Sequence, residues 1–179
     1  MRVLVTAASK HGATAEIADV VAGVLEDAGL HVDRCAPSNI TDLTPYDAVV
    51  VGSAVYAGRW VREATALLDR LGDQLAARPL WVFSSGPLGD PPTPAGLPPV
   101  ADTAVARLRP RDHRAFAGAL DREGLSLAER AVVRAVRAPY GDFRDWDAVR
   151  EWAVSIVDGL EREAWRRAAT APVTPTPTT

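Results

Sequence analysis

The chain has 179 residues, of which 47% are apolar, and its formal net charge is −3. This length and apolar content predict one domain, or one domain with appendages, around a hydrophobic core. The mildly acidic balance gives no basis for nucleic-acid binding, and no apolar run approaches the ~20 residues needed to span a bilayer. A lone cysteine, Cys35, excludes an internal disulfide. Together with a strand that begins at residue 2, where a signal peptide would lie, it predicts a cytoplasmic protein.

The first half of the chain alternates short apolar runs with amphipathic segments. Continuous apolar runs predict buried strands, and apolar residues at every third or fourth position predict helices. Gly29 stands where a glycine commonly ends a helix. The predicted strands cover residues 2–7, 30–35, 47–52 and 80–85, and the predicted helices cover residues 13–28 and 61–77.

The second half begins with a proline-rich loop at residues 86–99, whose proline density excludes a helix or a strand. It leaves a central strand, where ligands of doubly wound sheets bind, so we expect it to form a lid or rim of the active site. The later predicted segments are a helix at 100–108, a fifth strand at 113–120, an inserted helical segment at 121–144 with its helix at 126–138, a last helix at 145–167 and a disordered Thr/Pro tail at 168–179.

The loop after the first strand has the composition of a phosphate-binding loop. Backbone N–H groups and the positive end of the helix dipole meet there, and hydroxyl groups add further donors. The spacing is neither that of a nucleoside-triphosphate loop nor that of a dinucleotide loop. An ordinary strand-to-helix turn capped by the last threonine is the alternative. The loop reads Ser9-Lys10-His11-Gly12-Ala13-Thr14, and Lys10 is the only lysine of the chain.

The pattern Ser-x-x-Gly-x-Thr resembles the FMN phosphate loop of the flavodoxin family, whose usual form is Ser/Thr-x-Thr-Gly-x-Thr. His11 replaces the common threonine before the glycine. The resemblance implies an α/β, flavodoxin-like, doubly wound five-stranded parallel sheet in the order 2-1-3-4-5, with helices on both faces. Residues 1–167 would form the FMN-binding domain, and the loops after strands 1, 3 and 4 would surround FMN.

The same resemblance assigns the second loop to the flavin ring. Tyr56 would flank one face of the isoalloxazine, and the loop backbone would meet flavin N5. Gly58 would permit a peptide rotation there, because glycine tolerates either sign of φ. Trp60 is a second candidate for the rim, and packing of both aromatic rings against a helix start is the alternative. The predicted contacts in this loop are Ala54, Val55, Tyr56, Ala57 and Gly58.

The third loop would cover the ring edge and the pyrimidine with backbone amides. It lacks the aromatic residue that many flavodoxins carry there. One ring face would therefore be open to a substrate, or covered by Leu88 or by the proline-rich loop. The predicted contacts are Ser84, Ser85, Gly86, Leu88 and Gly89.

Three later segments resemble the menaquinone-dependent protoporphyrinogen oxidase branch of flavodoxin-like proteins. They are Phe116-Ala-Gly-Ala-Leu120, the basic helical segment after it, and Asp145-Trp146-x-x-Val149. The resemblance implies an FMN-dependent oxidoreductase that acts on a quinone or a porphyrinogen, with peripheral membrane contact left open. An electron-carrier flavodoxin that serves a redox partner protein is the alternative, and a protein that kept the fold and lost its flavin is a third.

The remaining polar residues give weaker indications. Arg130, Arg134 and Arg137 would form a cationic face for propionates, lipid headgroups or an acidic partner, or simply a solvated helix face. We find no Cys/His spacing typical of a metal site and no nucleophile–base pair. The flavin, rather than a side chain, would carry the chemistry.

Overall fold

Five parallel strands form the centre of the molecule. The strands are β1 (Arg2–Ala8), β2 (His31–Arg34), β3 (Ala48–Tyr56), β4 (Arg59–Trp60), β5 (Leu80–Ser85) and β6 (Asp112–Phe116). The parallel strands lie in the order β2-β1-β3-β5-β6, which is the predicted 2-1-3-4-5 when the short β4, paired only with β3, is not counted. These elements come from a computed structural model that describes residues 1–56, 58–86, 105, 107–121, 125–135 and 139–170.

Helices lie on both faces of this sheet, and a short two-stranded ribbon lies beside it. Residues 105, 107 and 108 are also helical, and the rest of the helix predicted at 100–108 lies outside the described residues. The helices are α1 (Ala13–Asp27), α2 (Arg62–Ala76), α3 (Leu127–Ala135) and α4 (Trp146–Thr170), with a 3-10 turn at Pro37–Asn39, and the ribbon pairs β7 (Ala119–Leu120) with β8 (Gly141–Asp142).

The alternation of side chains along β1 explains the two hydrophobic layers. Val3 and Val5 face the layer that holds α1 and α4, whereas Leu4 faces the layer that holds α2. All three side chains are almost completely buried. A strand buried on both faces has a continuous apolar sequence, and this run is the pattern from which β1 was predicted.

The third strand is longer than the sequence predicts. β3 continues to Tyr56 and then turns back into β4, which pairs antiparallel with its end through Val55 and Trp60. The predicted second loop is therefore mostly a β-hairpin. The prediction failed because Gly52 and Ser53 interrupt the apolar run, yet Ser53 and Ala54 pair with β5.

The predicted fifth strand divides into β6 and β7. Gly118 lies between them, and a Cβ atom there would meet the Cα atom of Gly86 at 3.2 Å. This close backbone approach bends the chain out of the main sheet. Phe143 then donates its backbone N–H to the Gly118 carbonyl at 3.1 Å, which fixes the ribbon formed by β7 and β8.

The last helix begins as predicted and extends further. The Asp145 carboxylate accepts backbone N–H bonds from Asp147 and Ala148 at 3.1 and 3.0 Å, which is the geometry of a helix N-cap. The helix continues to Thr170, so residues 168–170 are helical and do not belong to the predicted tail. The rest of that tail, residues 171–179, lies outside the described residues.

Candidate functional site

The loop of residues 9–14 lies where β1 ends and α1 begins. Gly12 takes φ 89° at the helix N-cap, a conformation that favours glycine, and its side-chain position is open apart from Glu16 Oε1 at 3.8 Å. No side chain caps α1, and the first backbone bond of the helix runs from Glu16 N–H to the Gly12 carbonyl. The amides of the first turn are therefore available to an anion.

The two hydroxyl groups of this loop differ in accessibility. Thr14 is only 2% exposed, whereas Ser9 is partly exposed. Ser9 is therefore the more accessible hydroxyl donor. Their predicted contacts with a phosphate stay predictions.

Lys10 and His11 meet an acidic residue that lies far away in the sequence. Glu129 of α3 places Oε1 2.5 Å from Lys10 Nζ and 3.2 Å from His11 Nε2. Hydrogen bonds from Lys10 and from Ser126 lower the pKa of Glu129 to about 2, so this carboxylate is charged at neutral pH. The same interaction raises the pKa of Lys10. The inserted segment thus brings an anion to the predicted phosphate loop.

Tyr56 completes this cluster from the end of β3. Its ring lies 5.5 Å from Lys10 Nζ and 6.2 Å from the His11 ring, in an edge-on arrangement with the latter. Burial raises the pKa of Tyr56, although 40% of the residue remains exposed. An exposed aromatic ring beside the loop of residues 9–14 fits the role predicted for Tyr56, which is to flank the flavin ring. Gly58 adopts φ 71°, with nothing within 4 Å of its side-chain position.

The third loop follows β5, whose bounds are those that the sequence predicts. Ser84 and Ser85 belong to β5 and pair with strands on both sides. The Ser84 hydroxyl accepts the Trp60 indole N–H at 2.8 Å and lies 3.2 Å from His113 Nε2. Its side chain is therefore engaged within the core, and the predicted contact of Ser84 with a flavin stays a prediction.

Backbone N–H and carbonyl groups of the second and third loops also form hydrogen bonds within the protein. Gly86 donates its N–H to the Phe116 carbonyl at 3.3 Å. Ala54 accepts the Val61 N–H at 3.2 Å, and Val55 pairs with β4. Trp60, predicted as an alternative rim residue, is only 5% exposed and packs in the core. The predicted contacts Ala57, Leu88 and Gly89 lie outside the described residues, as do residues 87–99 of the proline-rich loop.

Arg144 fastens the inserted segment to α1, a role that the sequence did not indicate. Its guanidinium makes two bonds to Asp142, at 2.8 and 2.6 Å, and one to Glu16 at 2.7 Å. It also donates to the Ala13 carbonyl at 3.1 Å and stacks on the Trp146 ring at 4.4 Å. Only 8% of the side chain is exposed. Two of these partners, Ala13 and Glu16, are 131 and 128 residues away in the sequence, so no local pattern could have identified the cluster.

A cavity of about 620 Å³ opens between the phosphate loop and the inserted segment. Its volume is in the range of small-molecule sites. Apolar side chains of β7 and the segment beyond it line one part, and charged side chains line another. The lining residues are His11, Ala13, Glu16, Ala119, Leu120, Asp121, Leu125, Tyr140, Gly141, Asp142 and Arg144.

The predicted cationic face of α3 is only partly described. Arg130 donates Nε–H to the Leu125 carbonyl at 3.0 Å, Arg134 is exposed, and Arg137 lies outside the described residues. The contact of α3 with the phosphate loop is made by Glu129. Among the described residues, no group of His, Cys, Asp and Glu side chains is arranged to hold a metal ion, and no helix is long and apolar enough to cross a membrane.

The donors of the first loop fit the phosphate of FMN. Uncapped helix amides, a glycine in the left-handed region, a partly exposed hydroxyl and a lysine converge there. Tyr56 supplies an aromatic surface close by. This combination matches the chemistry of a ligand with a phosphate at one end and a flat ring system at the other.

Comparisons with known proteins agree with this fold. The Flavodoxin domain family matches residues 4–147. The crystal structure of oxidised flavodoxin 2 from Bacillus cereus has a TM-score of 0.61 at 20% identity, with 89% of this chain and 99% of that chain covered. Oxidised flavodoxin 1 from the same organism gives 0.60 at 15% identity, with 88% and 98% covered. A search of curated proteins finds no match.

The fold also occurs within a larger protein. Rubredoxin oxygen:oxidoreductase from Desulfovibrio gigas has a TM-score of 0.60 at 14% identity, and the alignment covers 91% of this chain but 37% of that one. At these identities the structures establish the fold alone. The family match spans most of the chain, from β1 to the start of α4. The chain therefore belongs to the flavodoxin domain family, and this membership indicates that it binds FMN.

Proposed function

We propose that this protein is an FMN-dependent oxidoreductase in which electrons pass between the flavin and a second small molecule, a quinone or a porphyrinogen. The observation that carries this proposal is the cavity of about 620 Å³ between residues 9–14 and the inserted segment. An electron carrier needs only an exposed flavin edge. A small-molecule oxidoreductase needs a second concave site, and we assign it to the part of this cavity lined by Leu120, Leu125 and Tyr140, since His11 and Ala13 are predicted FMN contacts.

The chain itself would bind and orient the cofactor. The α1 amides, Ser9 and Lys10 would hold the phosphate, and Tyr56 would flank the ring. FMN supplies the electron or hydride transfer when it is bound. The buried Ser84–Trp60 pair would keep the ends of β3 and β5 in register beneath the flavin, so its role is positional.

The charge of the cavity favours a quinone over a porphyrinogen. Among the described residues that line it, three carboxylates, from Glu16, Asp121 and Asp142, stand against the guanidinium of Arg144. A porphyrinogen carries propionate groups that such a lining would repel. A quinone is neutral, and its apolar ring would contact Leu120 and Leu125, which also line the cavity.

Filling the cavity tests this proposal. Ala119→Leu adds volume to the wall, whereas Ser38→Ala, on an exposed 3-10 turn outside the cavity lining, serves as a control. With matched FMN loading, we expect Ala119→Leu to lower steady-state reduction of a menaquinone analogue about tenfold. Electron delivery to ferricyanide, which needs no cavity, should stay unchanged. Equal quinone turnover in both variants would contradict an enzyme that uses this cavity.

The carrier function remains the second candidate, and the exposure of Tyr56 favours it. This ring is 40% exposed at the end of β3, where a redox partner protein could approach a flavin edge. Flavodoxins typically pass electrons to such partners. Wild-type protein that reduces a partner protein or ferricyanide, but turns over no quinone or porphyrinogen, would favour the carrier.

A further inference from the structure

One carboxylate joins α3 to the phosphate loop. Glu129 Oε2 accepts the Ser126 backbone N–H at 2.9 Å and its hydroxyl at 2.7 Å, and Ser126 Oγ accepts the Glu129 N–H at 3.3 Å. This reciprocal pair is a capping box at the start of α3. The other oxygen, Oε1, contacts Lys10 and His11. Oε2 therefore caps α3, whereas Oε1 binds the loop of residues 9–14.

The contacts of Oε1 engage the two basic side chains of the loop, Lys10 and His11. Lys10 is the only lysine of the chain, and its ammonium group forms an ion pair with the Glu129 carboxylate. His11 Nε2 lies on the same oxygen. A phosphate in residues 9–14 would bring about two further negative charges close to Glu129. The two anions would repel each other and compete for the same donors.

We propose that Glu129 is an internal competitor of the FMN phosphate, so that docking of α3 onto Lys10 and His11 opposes phosphate binding. This inference rests on the proposed placement of the phosphate in residues 9–14. It assigns Glu129 a role in cofactor selectivity: the residue weakens FMN, which carries a phosphate, and leaves riboflavin, which carries none, unaffected.

Two further observations support this assignment. The low pKa of Glu129 keeps the carboxylate charged throughout the physiological range. The described contacts of α3 with the rest of the protein are also few: Leu127 is 83% exposed, and Arg130 bonds to the Leu125 carbonyl just before the helix. Leu125 is the buried apolar residue at this end of the segment. At Leu127, the first residue of α3, a competing anion would therefore have little packing to overcome when it displaces Glu129 from the loop.

The experiment compares two carboxylate-to-amide variants by calorimetric titration with FMN and with riboflavin. Glu129→Gln removes the charge but retains a residue that can complete the capping box. Glu26→Gln is the matched control, because Glu26 also forms a surface ion pair, with Arg34, and lies at the opposite end of α1. Both variants change the net charge equally.

We expect Glu129→Gln to bind FMN about three- to tenfold more tightly than wild type, in line with the modest strength of exposed ion pairs and the loss of a nearby like charge. Riboflavin affinity should stay unchanged, and Glu26→Gln should bind both ligands as wild type does. Equal or weaker FMN binding by Glu129→Gln would overturn the inference and leave FMN binding itself intact. A parallel gain for riboflavin would also overturn it, since the effect would not act through the phosphate.

Hydrogen exchange on the wild-type protein provides a second readout that needs no variant. FMN should accelerate exchange at the α3 amides, and riboflavin should not. Slower exchange in α3 on FMN binding would overturn the inference, because Glu129 would then assist the phosphate. Wild-type protein that binds neither flavin would overturn the proposed function and this inference together.

Discussion

At the scale of single residues, the site depends on which polar groups the fold leaves available. Ser9 is partly exposed beside uncapped helix amides, whereas Ser84 is fully engaged by Trp60 and His113. Both are serines that follow an apolar run, so their sequence contexts look alike. The difference arises from partners 24 and 29 residues away from Ser84, which no local pattern encodes.

Ser9→Ala should weaken FMN binding by about 1.5–3 kcal/mol, the usual strength of a hydrogen bond to a charged group. Riboflavin binding should not change, because the lost bond goes to the phosphate. Calorimetric titration with both ligands checks this, with Ser38→Ala as a control on an exposed turn. Loss of riboflavin affinity in Ser9→Ala would place Ser9 against the ring system instead.

Tyr56→Ala should weaken FMN binding and shift the flavin absorbance spectrum, since the ring would lose its aromatic neighbour. Tyr56→Phe should change little, because the flat face is retained. Tyr46→Phe is the control, because Tyr46 lies next to Arg2 at the start of β1, at the opposite end of the strands from Tyr56. An unchanged spectrum and affinity in Tyr56→Ala would assign the stacking role to another residue.

Two glycine substitutions should change stability in opposite directions. A Cβ atom at Gly52 would lie 2.1 Å from the buried Phe83 ring, so Gly52→Ala should destabilise the fold by about 1–3 kcal/mol. Gly23 lies inside α1 with nothing within 4 Å of its side-chain position, so Gly23→Ala should stabilise by about 0.5–1 kcal/mol. Urea unfolding measures both. A Gly52→Ala variant as stable as wild type would contradict the packing between β3 and β5, and a destabilised Gly23→Ala variant would contradict the open space on α1.

At the scale of elements, the inserted segment is held to the core by two charged contacts. Arg144 fastens β8 to α1, and Glu129 fastens α3 to the phosphate loop. The sequence predicted the insertion and its helix, and the capping box Ser126-x-x-Glu129 could have been read from it. The contact between positions 10 and 129 could not, because it depends on how the insertion folds back over the sheet.

Arg144→Lys should destabilise the protein by about 2–3 kcal/mol, because lysine cannot reproduce the planar, forked bonding to Asp142 and Glu16. The amides of β7 and β8 should also exchange faster with solvent. Arg150→Lys is the control: its pair with Asp147 is exposed and should be worth no more than about 0.5 kcal/mol. Equal effects of the two substitutions would show that the Arg144 contacts are not structural.

The Glu129 contact should also fail in acid. Its folded-state pKa of about 2 lies below the ordinary value of 4.5, so its stabilising contribution is fully present above pH 4.5 and is lost as the pH falls toward 2. The difference in unfolding free energy between wild type and Glu129→Gln should therefore shrink across this window. Acid titration of unfolding, with Glu26→Gln in parallel, measures it. A difference that stays constant would contradict the ion pair.

At the scale of the whole molecule, local periodicity in the sequence predicted the buried strands and the amphipathic helices that form the two helical layers. The strand order and the family were implied by the resemblance of residues 9–14 to the flavodoxin phosphate loop, and both are confirmed. The sequence did not predict the extension of β3 past Gly52 or the division of the last strand. Both depend on long-range pairing: Ser53 with Ser84, and Gly118 against Gly86. The ribbon of β7 and β8 and the cavity beside it follow from that division.

The most direct test of the account is a calorimetric titration of the wild-type protein with FMN and riboflavin under identical conditions. Residues 9–14 are assigned to the phosphate, so FMN should bind with a dissociation constant of about a micromolar or lower and at least about tenfold more tightly than riboflavin. Equal affinities for the two flavins would contradict the assignment of residues 9–14 to the phosphate, and with it the placement of FMN at the ends of β1 and β3.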